Sequence, residues 1–272
     1  SYKSSKSKSA HRDSDFIPIC IPSVARPSNI EYLSTLLSSY SHHAPYGLRH
    51  ITIYNMHPAH ERLNYPVPQR LFQEFHSNQS SQYKNKQHTL SVRFRSGIRA
   101  EPRVQTHGDS LDRVKWRSYE AQDYAQVLQR CVIDNYQKYG EFQYVLIIQD
   151  DVEFTSEMEN VYAWILNASK DKAMKRFCSL SLYDEDQEED KGMLRASNMV
   201  ARVWRVSSAM KFSGYVDAYF DRSPVDWLAN DFCRWSGNRK TFVMVPNPVR
   251  HLGIISTFEG KNPTAITHSS HN

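Results

Sequence analysis

Tyr144-Val145-Leu146-Ile147-Ile148-Gln149-Asp150-Asp151-Val152-Glu153-Phe154 is the stretch from which the rest of the chain can be read. It begins as an unbroken run of aliphatic and β-branched residues, the pattern of a strand buried on both faces of a largely parallel sheet. It ends abruptly in Gln149, Asp150 and Asp151. Open α/β sheets bind ligands just beyond the carboxyl ends of their strands, where these acids stand. Hard oxygen ligands there suit Mg²⁺ or Mn²⁺, which prefer carboxylate, water and phosphate oxygens to sulfur. The pair predicts a metal held against a diphosphate. Short acidic pairs also open solvated loops, so the remaining sequence must decide.

The chain has 272 residues, enough for one large α/β domain or two small ones. Sixteen Tyr and five Trp, at a near-normal apolar content, predict a packed enzyme-like domain rather than disorder. The net charge of +5 is modest, and Lys3, Lys6, Lys8 and Arg12 lie among serines at the start. Residues 1–15 therefore read as a solvated, stem-like leader, and no nucleic-acid partner is expected. No apolar run is long enough to span a membrane. The sequence opens without Met, so an anchor or signal outside it is expected.

Cys20, Cys131, Cys178 and Cys233 are scattered, with no CxxC pair, which argues against structural zinc. Their apolar contexts predict buried thiols. The sequons Asn78-Gln79-Ser80 and Asn167-Ala168-Ser169 are compatible with a secretory compartment.

Along the chain, Phe16 to Val24 reads as a first strand, and Ser28 to Glu31 as a capping box for a helix with the stripe Ile30, Leu33, Leu37, Tyr40. Arg49 to Met56 alternates as a second strand, which makes a doubly wound opening. A short helix at 66–75, a polar loop at 76–88 and a strand at 90–94 follow. A long helix is predicted from about Asp112 to Tyr139, with Val114, Ala121, Tyr124, Ala125, Leu128 and Val132 inward and Gly140 as its stop. After the acidic pair come a helix at 156–166, a strand at 177–182 and an acid-rich loop at 184–190. Its acids could form a second metal site, but on a flexible loop with Gly192 they read as a solvated face. A strand at 199–204, a helix at 207–220, a Pro-initiated helix from Pro224 and a last strand at 241–245 complete one domain, 16–272.

Four separated segments carry a resemblance. They are Ile19-Cys-Ile-Pro-Ser-Val-Ala-Arg26, Arg113-Val-Lys-Trp-Arg-Ser-Tyr-Glu-Ala-Gln-Asp-Tyr124, Gln149-Asp150-Asp151, and Pro224-Val-Asp-Trp-Leu228 with 246–261. In this order and spacing they resemble the N-acetylglucosaminyltransferase IV family, and also the related transferase that adds N-acetylgalactosamine to glycosylphosphatidylinositol anchors. The likeness covers most of residues 17–261 and is poor at 57–105 and 183–197. It implies an α/β fold of the GT-A (nucleotide-diphospho-sugar transferase) type, a single mixed, mostly parallel sheet flanked by helices. It implies a UDP-sugar donor, Mn²⁺ or Mg²⁺, and inversion at the sugar. The implied acceptor is a mannose residue of an N-glycan, with UDP-N-acetylgalactosamine and anchor mannose as the alternative.

The resemblance also implies roles. Asp151 is the expected direct metal ligand and His251 the second, beside the diphosphate. Asp150 is expected to act through water or a ribose hydroxyl. Pro22, Ser23 and Arg26 would cradle uracil and ribose, Arg117 would reach phosphate and Asp123 the nucleoside. By helical spacing Asp123 shares a face with Lys115 rather than Arg117. Asp226, in the first turn of the Pro-initiated helix, is the expected base, with Asp231 the runner-up, because Asn230 stands where the family has a second Asp. Asp226 would otherwise serve only the helix dipole. Gln149 replaces a usual Glu and removes one negative charge. Trp227 and Trp235 would either stack on sugars or be buried.

Two other classes compete. One is a metal-dependent phosphoesterase or nuclease, which would need further carboxylates for a second metal. The other is a glycan-binding module with a degraded metal site. The sequons, the leader and the resemblance point to the Golgi or secretory lumen, as a type II membrane protein anchored by a segment outside this sequence.

Overall fold

The computed structural model describes residues 16–26, 31–45, 47–48, 50–57, 65–78, 89–104, 107–168, 177–184, 198–236 and 240–253. The expected leader and residues 254–261 of the last resembling segment lie outside these. In chain order the elements are β1 (Ile19–Ser23), α1 (Leu33–His43), β2 (His50–Asn55), α2 (Val67–Asn78), β3 (Thr89–Phe94), α3 (Leu111–Tyr139), β4 (Tyr144–Ile148) and β5 (Val152–Phe154). They continue with α4 (Met158–Ala168), β6 (Phe177–Ser181), β7 (Ala201–Arg205), α5 (Val206–Tyr219), α6 (Val225–Trp235), β8 (Lys240–Val243) and β9 (Val249–His251).

Seven strands form one mixed sheet in the order β3-β2-β1-β4-β7-β6-β8. Pairings are parallel except those of β7, which runs against both β4 and β6. The carboxyl ends of β1, β2, β4, β6 and β8 consequently share one edge, where β7 begins. The molecule is an α/β protein with a mostly parallel sheet between helices, compatible with a Rossmann-like fold.

The central run alternates between two cores. Leu146 and Ile148 face one core with Ile19, Ile21, Leu33 and Leu36. Val145 and Ile147 face the other with Cys20, Leu128, Trp204 and Phe212. All four residues of β4 named here are fully buried, so truncating one to Ala would cost about 2–5 kcal/mol. This two-sided burial is why β4 reads as continuously apolar.

The helix α3 starts where Ser110 accepts a hydrogen bond from the Arg113 amide. It ends at Gly140, whose φ of 81° is costly for residues with a Cβ. All six residues predicted to line its inward stripe are buried. On the same helix Asp123 is buried together with Arg117, whereas Lys115 is exposed and pairs with Glu101 at 3.0 Å. The expected sharing of a face with Lys115 is thus corrected: the buried band of α3 is wide enough to take in both Arg117 and Asp123.

Other expectations are also corrected. Helix α1 begins at Leu33 with Tyr32 as its N-cap and no side-chain cap, so the Ser28–Glu31 box does not start it; residues 28–30 lie outside the described residues. The chain does not run straight past the acidic pair. It turns into β5, which pairs antiparallel with β9 as a separate two-stranded sheet, so His251 is on a strand rather than after the last one.

The cysteines are not free thiols. Cys20 bonds to Cys131, tying β1 to α3, and Cys178 bonds to Cys233, tying β6 to α6. All four belong to the core on the α3, α5 and α6 side. Among the described residues no helix is long and apolar enough to cross a membrane.

Candidate functional site

The shared carboxyl edge holds a compact group of charges. Asp150 and Asp151 occupy the turn between β4 and β5, each 4% exposed. From the end of β1, the Ser23 hydroxyl donates to Asp150 Oδ2 at 2.7 Å. Arg26, three residues on, places Nη2 2.6 Å from Asp150 Oδ1 and 3.0 Å from Asp151 Oδ2. From β9, His251 Nε2 stands 3.2 Å from Asp151 Oδ2. The antiparallel pairing of Val152 with His251 fixes that approach, and the Leu252 amide donates to the Asp151 carbonyl at 2.7 Å. Of the residues expected at the site, Ser23, Arg26, Asp150, Asp151 and His251 are therefore brought together, with half-buried Pro22 beside them on β1.

The two carboxyls are shifted in opposite directions. Burial, with the charge of Asp151 adjoining, pushes the Asp150 carboxyl up against the pull of Arg26. Burial also opposes ionisation of Asp151, but the His251 hydrogen bond and the Arg26 charge outweigh it and hold that carboxyl low. Asp151 is thus the better anionic ligand of the pair. Its Oδ1 is buried with no partner among the described residues. A buried carboxylate oxygen left unpaired costs at least about 1–3 kcal/mol, so this atom is suited to an external donor or cation.

The donor set fits a divalent cation of the Mn²⁺ or Mg²⁺ kind. One carboxylate and one imidazole converge, and a Cβ at Gly253 would collide with both, so only glycine leaves that space. Cations of this kind commonly take few protein ligands and complete their shell with water and phosphate oxygens. No group of three or more His, Cys, Asp or Glu side chains suited to a metal occurs among the described residues, so the protein would supply only part of the shell.

Behind Ser23 lies a network that the sequence did not suggest. The Tyr65 hydroxyl is 2.9 Å from Ser23 Oγ. Burial, then the charge of Asp150, raises its pKa. Asn55 donates to the Tyr65 carbonyl at 3.1 Å and accepts from the His57 amide at 3.0 Å. His57 Nε2 in turn accepts from the Ala25 amide at 3.0 Å, which requires its proton on Nδ1. These contacts fix the backbone on which Arg26 is carried.

Arg117 and Asp123 are held elsewhere. Arg117 is 2% exposed and pairs with Asp109. Asp123 accepts from Arg95 Nε at 2.9 Å and from Arg99 Nη2 at 2.6 Å. Arg99 also donates to the Met56 carbonyl at 3.0 Å, at the carboxyl end of β2. Both residues thus pin the segment between β3 and α3, and neither makes a described contact with the acidic turn. Arg95 and Arg99 lie in the part of the sequence where the resemblance is poorest, and Asp109 lies outside the four resembling segments, so only the helix side of each pair was visible.

Asp226 is half-buried in the first turn of α6. The disulfide to Cys178 puts the end of α6 at the start of β6, and Asp226 stands about 10 Å from it along the helix axis. Burial lowers the pKa of the fully buried Arg202 guanidinium, against the smaller opposing effects of Tyr124 and of the Asp226 charge, which places Asp226 within electrostatic reach of it. Arg202 is on β7 opposite Ile147 and Ser181, near the carboxyl edge. Asp231 is more than a turn farther along α6, beside Tyr215, whose pKa is raised by burial and then by the charge of Asp231. Trp227 and Trp235 are 52% and 81% exposed, which removes the buried alternative for both.

No family model matches the chain, and no curated protein matches it significantly.

Proposed function

We propose that this chain is a metal-dependent, inverting glycosyltransferase of the GT-A fold that moves N-acetylglucosamine from UDP-N-acetylglucosamine to a mannose of an N-glycan. The observation that carries the reading is the unpartnered, buried Asp151 Oδ1 beside His251 at the carboxyl edge of the sheet. The resemblance of the four segments to the N-acetylglucosaminyltransferase IV family supports the donor and the acceptor. Two disulfides support a lumenal, oxidising compartment such as the Golgi.

In this reading Asp151 and His251 would hold Mn²⁺, which would supply positive charge to the diphosphate leaving group. Ser23 and Arg26 orient Asp150 and line the nucleoside side with Pro22. Arg117 and Asp123 keep that wall in place through Asp109, Arg95 and Arg99. Asp226 accepts the proton of the acceptor hydroxyl as its oxygen bonds to the sugar's anomeric carbon. The bond from that carbon to the diphosphate oxygen breaks, and its electron pair leaves with UDP. Asp226 suits the base better than Asp231 because it lies in the first turn of α6, within electrostatic reach of Arg202 near the carboxyl edge.

A second reading is a glycan-binding module without turnover. Arg26 favours it, since a guanidinium within 3.0 Å of both carboxylates offsets part of their charge without a metal. Turnover separates the two. UDP-N-acetylglucosamine and UDP-N-acetylgalactosamine are each offered with Mn²⁺ to mannose-terminated N-glycans and to anchor glycans. The proposal expects transfer from the first donor to the N-glycans, abolished by EDTA. Transfer from the second donor to anchor mannose would favour the alternative acceptor. Donor binding with neither transfer nor hydrolysis would favour the binding module.

A further inference from the structure

Among the described residues a second carboxylate oxygen is buried without a partner. It is Oδ2 of Asp184, a residue only 5% exposed. Asp184 follows β6, which is parallel to β4 across β7, so it stands on the same carboxyl edge as Asp150 and Asp151. Its neighbour Tyr183 meets the ring of His251 edge-on, with centroids 5.6 Å apart.

The position is built rather than incidental. The Asp184 amide donates to Asn247 Oδ1 at 3.0 Å, and its carbonyl accepts from Asn247 Nδ2 at 2.7 Å. Ser181 Oγ donates to the Tyr183 carbonyl at 2.8 Å. Both main-chain groups of Asp184 are thus satisfied and its backbone is fixed, while one side-chain oxygen is left over. An ionised carboxylate can only accept hydrogen bonds or bind a cation. Among the described residues no imidazole or carboxylate meets Asp184 as His251 meets Asp151, so a cation gains less there. An anionic phosphate would be repelled. Neutral O–H or N–H donors remain.

We propose that Asp184 accepts a hydrogen bond from a hydroxyl of the donor's sugar ring, and so selects the sugar rather than the nucleotide. The inference rests on the UDP-sugar reading above. The sugar of such a donor adjoins the diphosphate, as Asp184 adjoins the His251 side of the acidic turn through Tyr183. The acceptor sugar is the other source of such hydroxyls, and the test separates them.

The experiment is calorimetric titration of the whole chain, in Mn²⁺, with UDP, with UDP-N-acetylglucosamine and with its singly deoxygenated analogues, for the wild type and Asp184→Asn. UDP affinity should change less than about twofold in the variant, while UDP-N-acetylglucosamine should bind at least about tenfold more weakly, the scale of a hydrogen bond to a charged group. One deoxygenated analogue should bind the wild type correspondingly weakly, and the variant should no longer distinguish it from the parent sugar. Equal weakening of UDP and UDP-sugar, or no change in either, would overturn the proposal; a variant altered only in acceptor KM would reassign Asp184 to the acceptor. Wild type that fails to bind UDP would instead remove the donor reading, and this inference with it. Asp184→Ser serves if the Asn variant does not fold. If neither folds, the wild-type arm decides: equal affinity for every deoxygenated sugar overturns the proposal, and loss at one hydroxyl supports it.

Discussion

The acidic turn after β4 and the first turn of α6 hold their carboxylates in contrasting ways. At the turn, Asp150 and Asp151 are buried, with a hydroxyl, a guanidinium and an imidazole within 3.2 Å. Asp226 is half-buried at a helix start, next to the exposed Trp227. The difference matches two tasks. A site for a diphosphate and its cation gains from charges fixed in advance, because preorganised groups need no rearrangement as charge develops. Under the proposed function a base would meet a second substrate arriving from solvent, and a half-buried helix start would leave it within reach.

The contrast is tested most severely by Asp226→Asn, which keeps shape and removes proton acceptance. Turnover should fall by about 10²–10⁴-fold while UDP binding stays within about twofold. Near-normal turnover would transfer the role to Asp231, and loss of folding would leave Asp226 as a helix-dipole residue.

A second expectation concerns how α6 is held. Replacing Cys178 and Cys233 together by Ser should lower stability by about 2–4 kcal/mol, measured by denaturant unfolding. Below the melting range, UDP binding at the β4 turn should persist while turnover drops, since the disulfide anchors the helix that carries Asp226. Parallel loss of binding and turnover would mean that the two regions are not separable.

The smallest effect concerns the turn that leads into α6. Buried Asp221 accepts from the Arg103 amide at 2.8 Å and from its Nε at 2.9 Å. Burial raises its pKa, but these bonds and the Arg103 charge outweigh it and hold the carboxyl low. A lowered carboxylate pKa adds stability above the unfolded value, near 3.9, and that stability is lost as pH falls through the folded value. Arg103→Met should therefore lower the melting temperature at pH 6–7, and the gap from wild type should close below about pH 4. A gap that does not depend on pH would assign the loss to packing of Arg103 on Phe220 instead.

Much of this was legible because it is local. The run Tyr144–Ile148 gave its strand through unbroken aliphatic character, and α3 gave itself through its stripe and Gly140. What escaped depends on pairs distant in sequence. Cys20 and Cys131 are 111 residues apart, and Cys178 and Cys233 are 55 apart, with no spacing rule to join them. The strands β5 and β9 have three residues each, too short for a period to show. Arg26 was expected beside ribose, but only the fold reveals that it reaches both carboxylates of a turn more than a hundred residues away. Asp184 was hidden among the acids that follow it; its burial and its lock on Asn247 are tertiary facts.

The central claim is that Asp151, with His251, makes the carboxyl edge a metal-dependent nucleotide site. Calorimetry of UDP with and without Mn²⁺, on wild type and Asp151→Ala, tests it directly. The account predicts UDP binding by the wild type that requires Mn²⁺, no measurable binding by the variant, and a variant whose unfolding remains cooperative. UDP binding by Asp151→Ala at wild-type affinity, or binding by the wild type that EDTA leaves unchanged, would contradict it.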